Sequence, residues 1–458
     1  MIPFNSLPEH PARHSDNPHP LFVMRYLLVS CCIYGASFSS AIFAADAALP
    51  EWATNRDQQL PRERAAHLDS LGIPDWQEAG FCGKGIKILV LDTGFRGYRD
   101  FLGKSLPAKV TPRSARKDGN LEWKNSQHGI LVAEVVHAIA PEAEILLSNW
   151  DTDSPETFLD AVRWAREQGV KVITCSVVMP SWSDGEGNGP THRKLREILG
   201  DGTKPGDPLF FSCAGNTAQR HWSGVFNAAA DGFHQWTEKV TLNNVSPWYD
   251  GRVSLEVCWS DPEARYSIEV IDPTTGKQPE GVTYRQQTDP PATLARFTPT
   301  SGSGISYALR VRQEKGKPGK FHLNSLAAYL SEVRLAGSIP FPGDGPEVIT
   351  VGAVDTSFKR ASFSACGPNS PQPKPDVVAP IPFGTYMRSR PFSGTSCATP
   401  QAAAAAVLCL SRNTDWNSAK VRSYLTTWAR DLGPNGHDNE TGHGAVWLPY
   451  LAPAPRSK

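Results

Sequence analysis

A run of alanines at 402–406, continued by Val407, Leu408 and Leu410, is a strong helix former with no polar face. A helix that is apolar all round has to be buried, so the rest of the chain must fold around it. Directly upstream stands Phe392-Ser393-Gly394-Thr395-Ser396-Cys397-Ala398-Thr399-Pro400. The small residues there let another backbone approach closely. Pro400 is expected in the first turn, where a missing N–H costs little. The helix N-terminus would offer free N–H groups and a positive dipole end beside the Ser396 hydroxyl. Negative charge developing on an oxygen is stabilised in such a place. Taken alone, the segment also reads as an ordinary capped core helix.

Two upstream segments bear on that choice. Residues 86–91, Ile-Lys-Ile-Leu-Val-Leu, form a short, mostly apolar run bounded by glycines, which suits a buried parallel strand. Asp92-Thr93-Gly94 follows, placing a carboxylate at the carboxyl end of that strand, where open α/β sheets carry their functional groups. The second segment begins at His128-Gly129 and continues as an apolar helix to about Ala140-Pro141. A fourth motif, Phe210-Phe211-Ser212-Cys213-Ala214-Gly215-Asn216, reads as a buried strand ending in Gly-Asn.

In this order and these settings, Asp92, His128, Asn216 and Ser396 resemble the subtilisin-like serine proteases, or subtilases. Further matching motifs are 345–354, 361–364, 374–380 and Thr441-Gly442-His443-Gly444, so the resemblance covers roughly residues 68–220 and 335–450. It implies Ser396 as nucleophile and His128 as general base, then general acid. Asp92 would fix the imidazole tautomer, and the Asn216 amide with the Ser396 N–H would hold the oxyanion. Ser176, Val177, Val178, Ser212, Ala214 and Gly215 would line the substrate. The implied activity is a serine endopeptidase acting on protein or peptide chains. Two alternatives are a catalytically impaired relative that binds through another module, and a different acyl transfer at the same site. The family usually has Ser-Leu-Gly where this chain has Ser176-Val177-Val178, so Val178 is expected to restrict the pocket for the residue before the scissile bond. Gln401 stands in place of the family histidine, and Ala404 in place of a helix glycine. Cys397, next to the serine, is read as a packing residue.

Composition agrees with an enzyme of this size. The 458 residues carry 46 basic and 46 acidic side chains, so nothing points to nucleic acid as a partner. No P-loop, His-Glu-x-x-His or Cys-x-x-Cys motif is present. No cofactor is expected. Subtilases often bind structural calcium, but no acidic cluster matches such a site convincingly, and His437, Asp438 and His443 read as a turn-rich segment. Met24-Arg25, the apolar run 26–35 and the small residues up to Ala47 read as a signal peptide, with translation starting at Met24. Export to the periplasm or medium follows, with no stable membrane span after processing. A membrane anchor and a lipoprotein box at Cys31 are the competing readings. Export permits disulfides, but the sequence does not assign a pairing.

Alternating strands and helices imply a mainly parallel sheet with helices on both faces. From 222 to 333 the pattern changes to period-two runs separated by turns, such as 252–259, 266–271 and 305–311. The expected organisation is a leader and signal peptide at 1–47 and the first catalytic-domain part at 48–221. An inserted β-sandwich follows at 222–333, then the second part at 334–452 and a tail at 453–458.

Overall fold

The computed structural model describes residues 51–123, 126–248, 251–299 and 306–451. The signal-peptide and Cys31 readings, and the 453–458 tail, lie outside these residues. Seven helices and sixteen strands follow in chain order within them. The first part holds α1 (Glu51–Ser70), α2 (Ile73–Glu78), β1 (Lys87–Leu91), β2 (Thr111–Ser114), α3 (His128–Ile139), β3 (Glu144–Asn149), α4 (Pro155–Glu167), β4 (Val172–Cys175), α5 (Pro190–Leu199) and β5 (Leu209–Cys213). The middle holds β6 (His221–Val225), β7 (Asn243–Pro247), β8 (Val253–Trp259), β9 (Arg265–Ile271), β10 (Thr283–Thr288), β11 (Pro291–Phe297), β12 (Tyr307–Lys315), β13 (Lys320–Leu326) and β14 (Ala328–Leu330). The last part holds β15 (Ile349–Val354), β16 (Val377–Pro380), α6 (Thr395–Arg412) and α7 (Ser418–Trp428).

Seven strands form one sheet in the order β16-β15-β5-β4-β1-β3-β2, and every pairing in it is parallel. Because strand side chains alternate, β1 feeds two cores. Ile88 and Val90 pack with the apolar sides of α3 and α6. Leu89 and Leu91 pack with Phe158, Leu159 and Val162 of α4 and Leu195 of α5. Helices therefore cover both faces, as the alternating pattern implied. Between β1 and α3 the chain supplies β2, which takes the sheet's edge beside β3.

Strands β6 to β14 form two antiparallel sheets, β10-β11-β8-β13-β6 and β14-β7-β12-β9. Val253, Leu255 and Val257 of β8 face Ile268, Val270, Leu309 and Val311 across this insert's own core. A strand of alternating pattern ordinarily has one solvated face, yet all seven residues of β8 are buried. Its second face packs on the loop after β4. Glu256 accepts the Ser181 N–H (2.9 Å), Gln287 donates to the Ser181 carbonyl (2.7 Å), and Ser260 donates to Asp184 (3.0 Å). The His322 ring meets Glu186 at 2.8 Å. Glu256 and His322, polar side chains buried on this inward face, persist because each finds a partner.

Candidate active site

Asp92 sits one residue past β1 and is fully buried. One carboxylate oxygen, Oδ1, accepts the Thr93 N–H (2.7 Å) and the Gly94 N–H (3.4 Å). The other, Oδ2, lies 2.7 Å from His128 Nδ1. That contact fixes the carboxylate-facing nitrogen as the protonated one in the neutral ring and leaves Nε2 on the other side. His128 opens α3, and Gly129 explains how close the helix comes. A Cβ on Gly129 would lie 2.5 Å from the Phe95 ring and 2.9 Å from the Asp92 Cβ. The His128 ring stands edge-on to Phe392, with centroids 5.6 Å apart, and a third of its side chain is exposed. Burial acts to depress its pKa and Arg388 pulls the same way. The Asp92 charge and hydrogen bond outweigh both and hold it above the ordinary histidine value.

Ser396 is the second residue of α6, whose cap is Gly394 at φ 95°. Pro400 is thus inside the helix rather than in its first turn, which corrects the sequence expectation. The physical cause is that the helix starts at Thr395, five residues before the proline and directly after the glycine. The displaced proline has a local effect. A residue at 400 would normally donate to the carbonyl at 396, and proline cannot. The Ser396 carbonyl instead accepts the Ser176 hydroxyl at 3.2 Å. In return the Ser396 hydroxyl donates to the Ser176 carbonyl, also at 3.2 Å. No hydrogen bond joins Ser396 Oγ to the His128 ring among the described residues.

Asn216 follows β5 through Gly215 (φ 94°). Its Oδ1 accepts both the Thr395 N–H and the Thr395 hydroxyl, each at 3.0 Å. Two donors on one oxygen settle the amide's orientation and turn Nδ2 away from Thr395. A Cβ on Gly394 would come within 3.0 Å of that nitrogen. The Cys397 N–H bonds to the Gly394 carbonyl (2.9 Å), so the Ser396 N–H is left without a partner among the described residues. The Asn216 amide thus lies against Thr395, the residue before the serine, with its N–H groups turned away from the oxygen that Thr395 holds.

The other sequence-derived residues divide. Ser176 is buried at the end of β4, while Val177 and Val178 are half-exposed beyond it. Ser212 and Ala214 are fully buried, and the Ala214 N–H and Gly215 carbonyl already serve Val351 and Ala365. Cys397 is buried in the main core with its thiol pushed up to about 12, which fits packing. All seven described cysteines are unpaired. No group of three or more His, Cys, Asp or Glu side chains among the described residues could hold a metal ion. No helix among them is long and apolar enough to cross a membrane.

Sequence reading did not find Glu134. This buried carboxylate on α3 accepts from Arg64 of α1 and from the Tyr386 (2.5 Å) and Met387 (3.3 Å) N–H groups. It thereby ties down the loop that delivers Phe392 to His128. A charged residue in the middle of an apolar helix was the available signal.

Residues 323–444 match the model of the subtilase family. That segment contains Ser396, while Asp92, His128 and Asn216 precede it. Subtilisin amylosacchariticus from Bacillus subtilis subsp. amylosacchariticus is 40% identical over 105 residues, 21% of this chain and 26% of the relative. Subtilisin Savinase from Lederbergia lenta is 37% identical over 118 residues, 24% of this chain and 40% of the relative. The matched stretches thus span well under half of these curated relatives. The solved structure of the Clostridium perfringens CspB protease covers 83% of this chain and 95% of its own, at TM-score 0.59 and 17% identity, and so agrees in fold. Over this C-terminal segment the chain is similar in sequence to the subtilase family.

Proposed function

We propose that the chain is an exported serine endopeptidase that hydrolyses peptide bonds through Asp92, His128 and Ser396. The observation that carries this reading is the 2.7 Å Asp92–His128 pair, set in one fold with a serine at a helix start whose preceding residue is held by Asn216. In the proposed sequence Ser396 turns from the Ser176 carbonyl to His128 Nε2 and gives up its proton as it attacks the substrate carbonyl. Asp92 stabilises the imidazolium that results. The oxyanion is held by Asn216 Nδ2 and the Ser396 N–H, and His128 then protonates the leaving amine. The 176–178 edge would hold the acyl side of the substrate, with Ser212, Ala214 and Gly215 as backing. Export rests on the 24–47 segment, and N-terminal sequencing of the protein recovered from periplasm or medium checks it.

The second reading is a relative that binds through its β-insert without cleaving. It draws on the Ser396 hydroxyl resting on Ser176 rather than on His128. A fluorophosphonate probe separates the two. Stoichiometric labelling of Ser396 supports the peptidase, and folded protein that stays unlabelled sinks it.

Because His128 is held above its ordinary value, near 6.5, the base is protonated and idle on the acid side of that value. The acid limb of kcat/KM should therefore have its midpoint above about 6.5, with activity rising toward alkaline pH. A profile flat across that range argues against His128 as base.

Val178 places a β-branched side chain where the family carries glycine. In a peptide library, large residues before the scissile bond should be disfavoured, and Val178→Gly should relieve the bias by about tenfold or more. Equal cleavage of small and large residues by the unaltered protein contradicts this.

A further inference from the structure

Four residues after Asn216, Arg220 closes back over the same loop. Its guanidinium donates from Nε (3.0 Å) and Nη2 to the Asn216 main-chain carbonyl. Only 8% of the residue is exposed, yet no carboxylate pairs with it among the described residues. Buried guanidinium groups are ordinarily matched by an anion, since an unpaired charge is costly to hold away from water. Burial draws its pKa below the ordinary arginine value, as expected of a cation short of counter-charge.

Arg220 lines a cavity of about 280 Å³. The other walls include Asn216, Gly394, Phe363 and two aromatic residues of the insert, Trp248 and Tyr329. The guanidinium carbon lies 4.7 Å from the Trp248 ring centroid, and the Trp248 and Tyr329 centroids are 5.9 Å apart. Both rings are exposed, Trp248 by 41% and Tyr329 by 51%, so the cavity has an open side. None of Ser176, Val177 and Val178 contributes to its walls. Its walls instead include Ser393 and Gly394, the residues that lead into Ser396.

We propose that this cavity is a carboxylate-binding subsite for the part of the substrate beyond the scissile bond, with Arg220 as anchor and Trp248 and Tyr329 as side walls. The proposal rests on the peptidase reading above. With Nε and Nη2 committed to Asn216, Nη1 is the donor left for an incoming anion, and the aromatic walls strengthen that bond by limiting water around it. The carboxylate could come from an acidic side chain one or two residues after the scissile bond, or from a free C-terminus at that position. Arg220 also acts as a positioning residue for Asn216, through the carbonyl it grips.

The test reads binding apart from catalysis. Immobilised Ser396→Ala protein is offered a peptide library with Asp, Asn, Glu or Gln at each position and with free or amidated C-termini. Retention of acidic over matched amide peptides by about tenfold or more is expected, the worth of one hydrogen bond to a charged group. Preference for Asp or Glu at an internal position assigns the side chain as the source, and preference for free over amidated ends assigns the terminus. In the same background Arg220→Gln should erase the preference and Arg220→Lys should keep part of it. Trp248→Ala, which removes the ring under the guanidinium, should weaken it without removing it. Peptides retained with no acidic preference, or a preference that survives Arg220→Gln, overturn the subsite and leave the peptidase reading standing. No retention of any peptide defeats the peptide cleft itself and the subsite with it.

Discussion

Ser396→Ala should abolish peptide hydrolysis, lowering kcat by about 10⁴–10⁶, the upper figure being that found for subtilisin itself. The fold should survive. Ser396 Oγ makes one hydrogen bond, to the Ser176 carbonyl, and the Ser176 hydroxyl still holds the Ser396 carbonyl. Loss of one such bond costs about 1 kcal/mol. Thermal unfolding measured beside turnover of a denatured protein substrate decides the matter. Retained hydrolysis in a folded Ser396→Ala protein removes the nucleophile assignment. Asn216→Ala, which leaves the serine and base in place, should cost less, about 10²–10³ in kcat, a figure that also derives from the subtilisin asparagine.

The largest stability effect is expected at Asp376→Ala. Lys374 is fully buried, with its ammonium 2.7 Å from Asp376 Oδ2 and 2.6 Å from the Val348 carbonyl. Arg422 of α7 meets Asp376 Oδ1 at 2.7 Å, and the Thr350 N–H of β15 donates to Oδ2 at 2.8 Å. Burial penalises the charge on Asp376, but Lys374 and Arg422 outweigh it and hold the carboxyl well below the usual range. At Lys374 burial wins and lowers the pKa. Removing the carboxylate leaves that ammonium buried and unpaired, at a cost of about 3–5 kcal/mol. Denaturant unfolding of Asp376→Ala should show a loss of this size. The paired change Lys374→Met with Asp376→Leu should recover most of it, because the fully buried ammonium is gone and the remaining Arg422 is partly exposed and still donates to the Pro346 and Val348 carbonyls. A loss under about 1 kcal/mol in the single variant contradicts this account.

What the sequence disclosed was local in origin. Asp92, His128, Asn216 and Ser396 each sit where a strand ends or a helix begins, and such boundaries are marked by neighbouring glycines and apolar runs. The parallel sheet followed from the same alternation. Pro400 was misplaced because proline's preference for a first turn is a tendency, and Gly394 at φ 95° set the helix start earlier. Residues whose roles depend on distant partners stayed hidden. Glu256 reads as the polar side of a half-buried strand until Ser181 is seen against it. Arg220 lies in plain view next to Asn216, but Trp248 and Tyr329 are needed to make it one wall of a cavity.

The β-insert has two interiors. One face of its five-stranded sheet belongs to its own core, and the other is finished by the loop after β4. A module with a single interior can be cut away and leave its host intact. Excision here would strand the Ser181 N–H and carbonyl, Asp184 and Glu186, all on the loop that continues the 176–178 edge. The insert is therefore masonry of the parallel-sheet part rather than cargo attached to it, and the smallest piece of this chain able to keep that edge in place includes both.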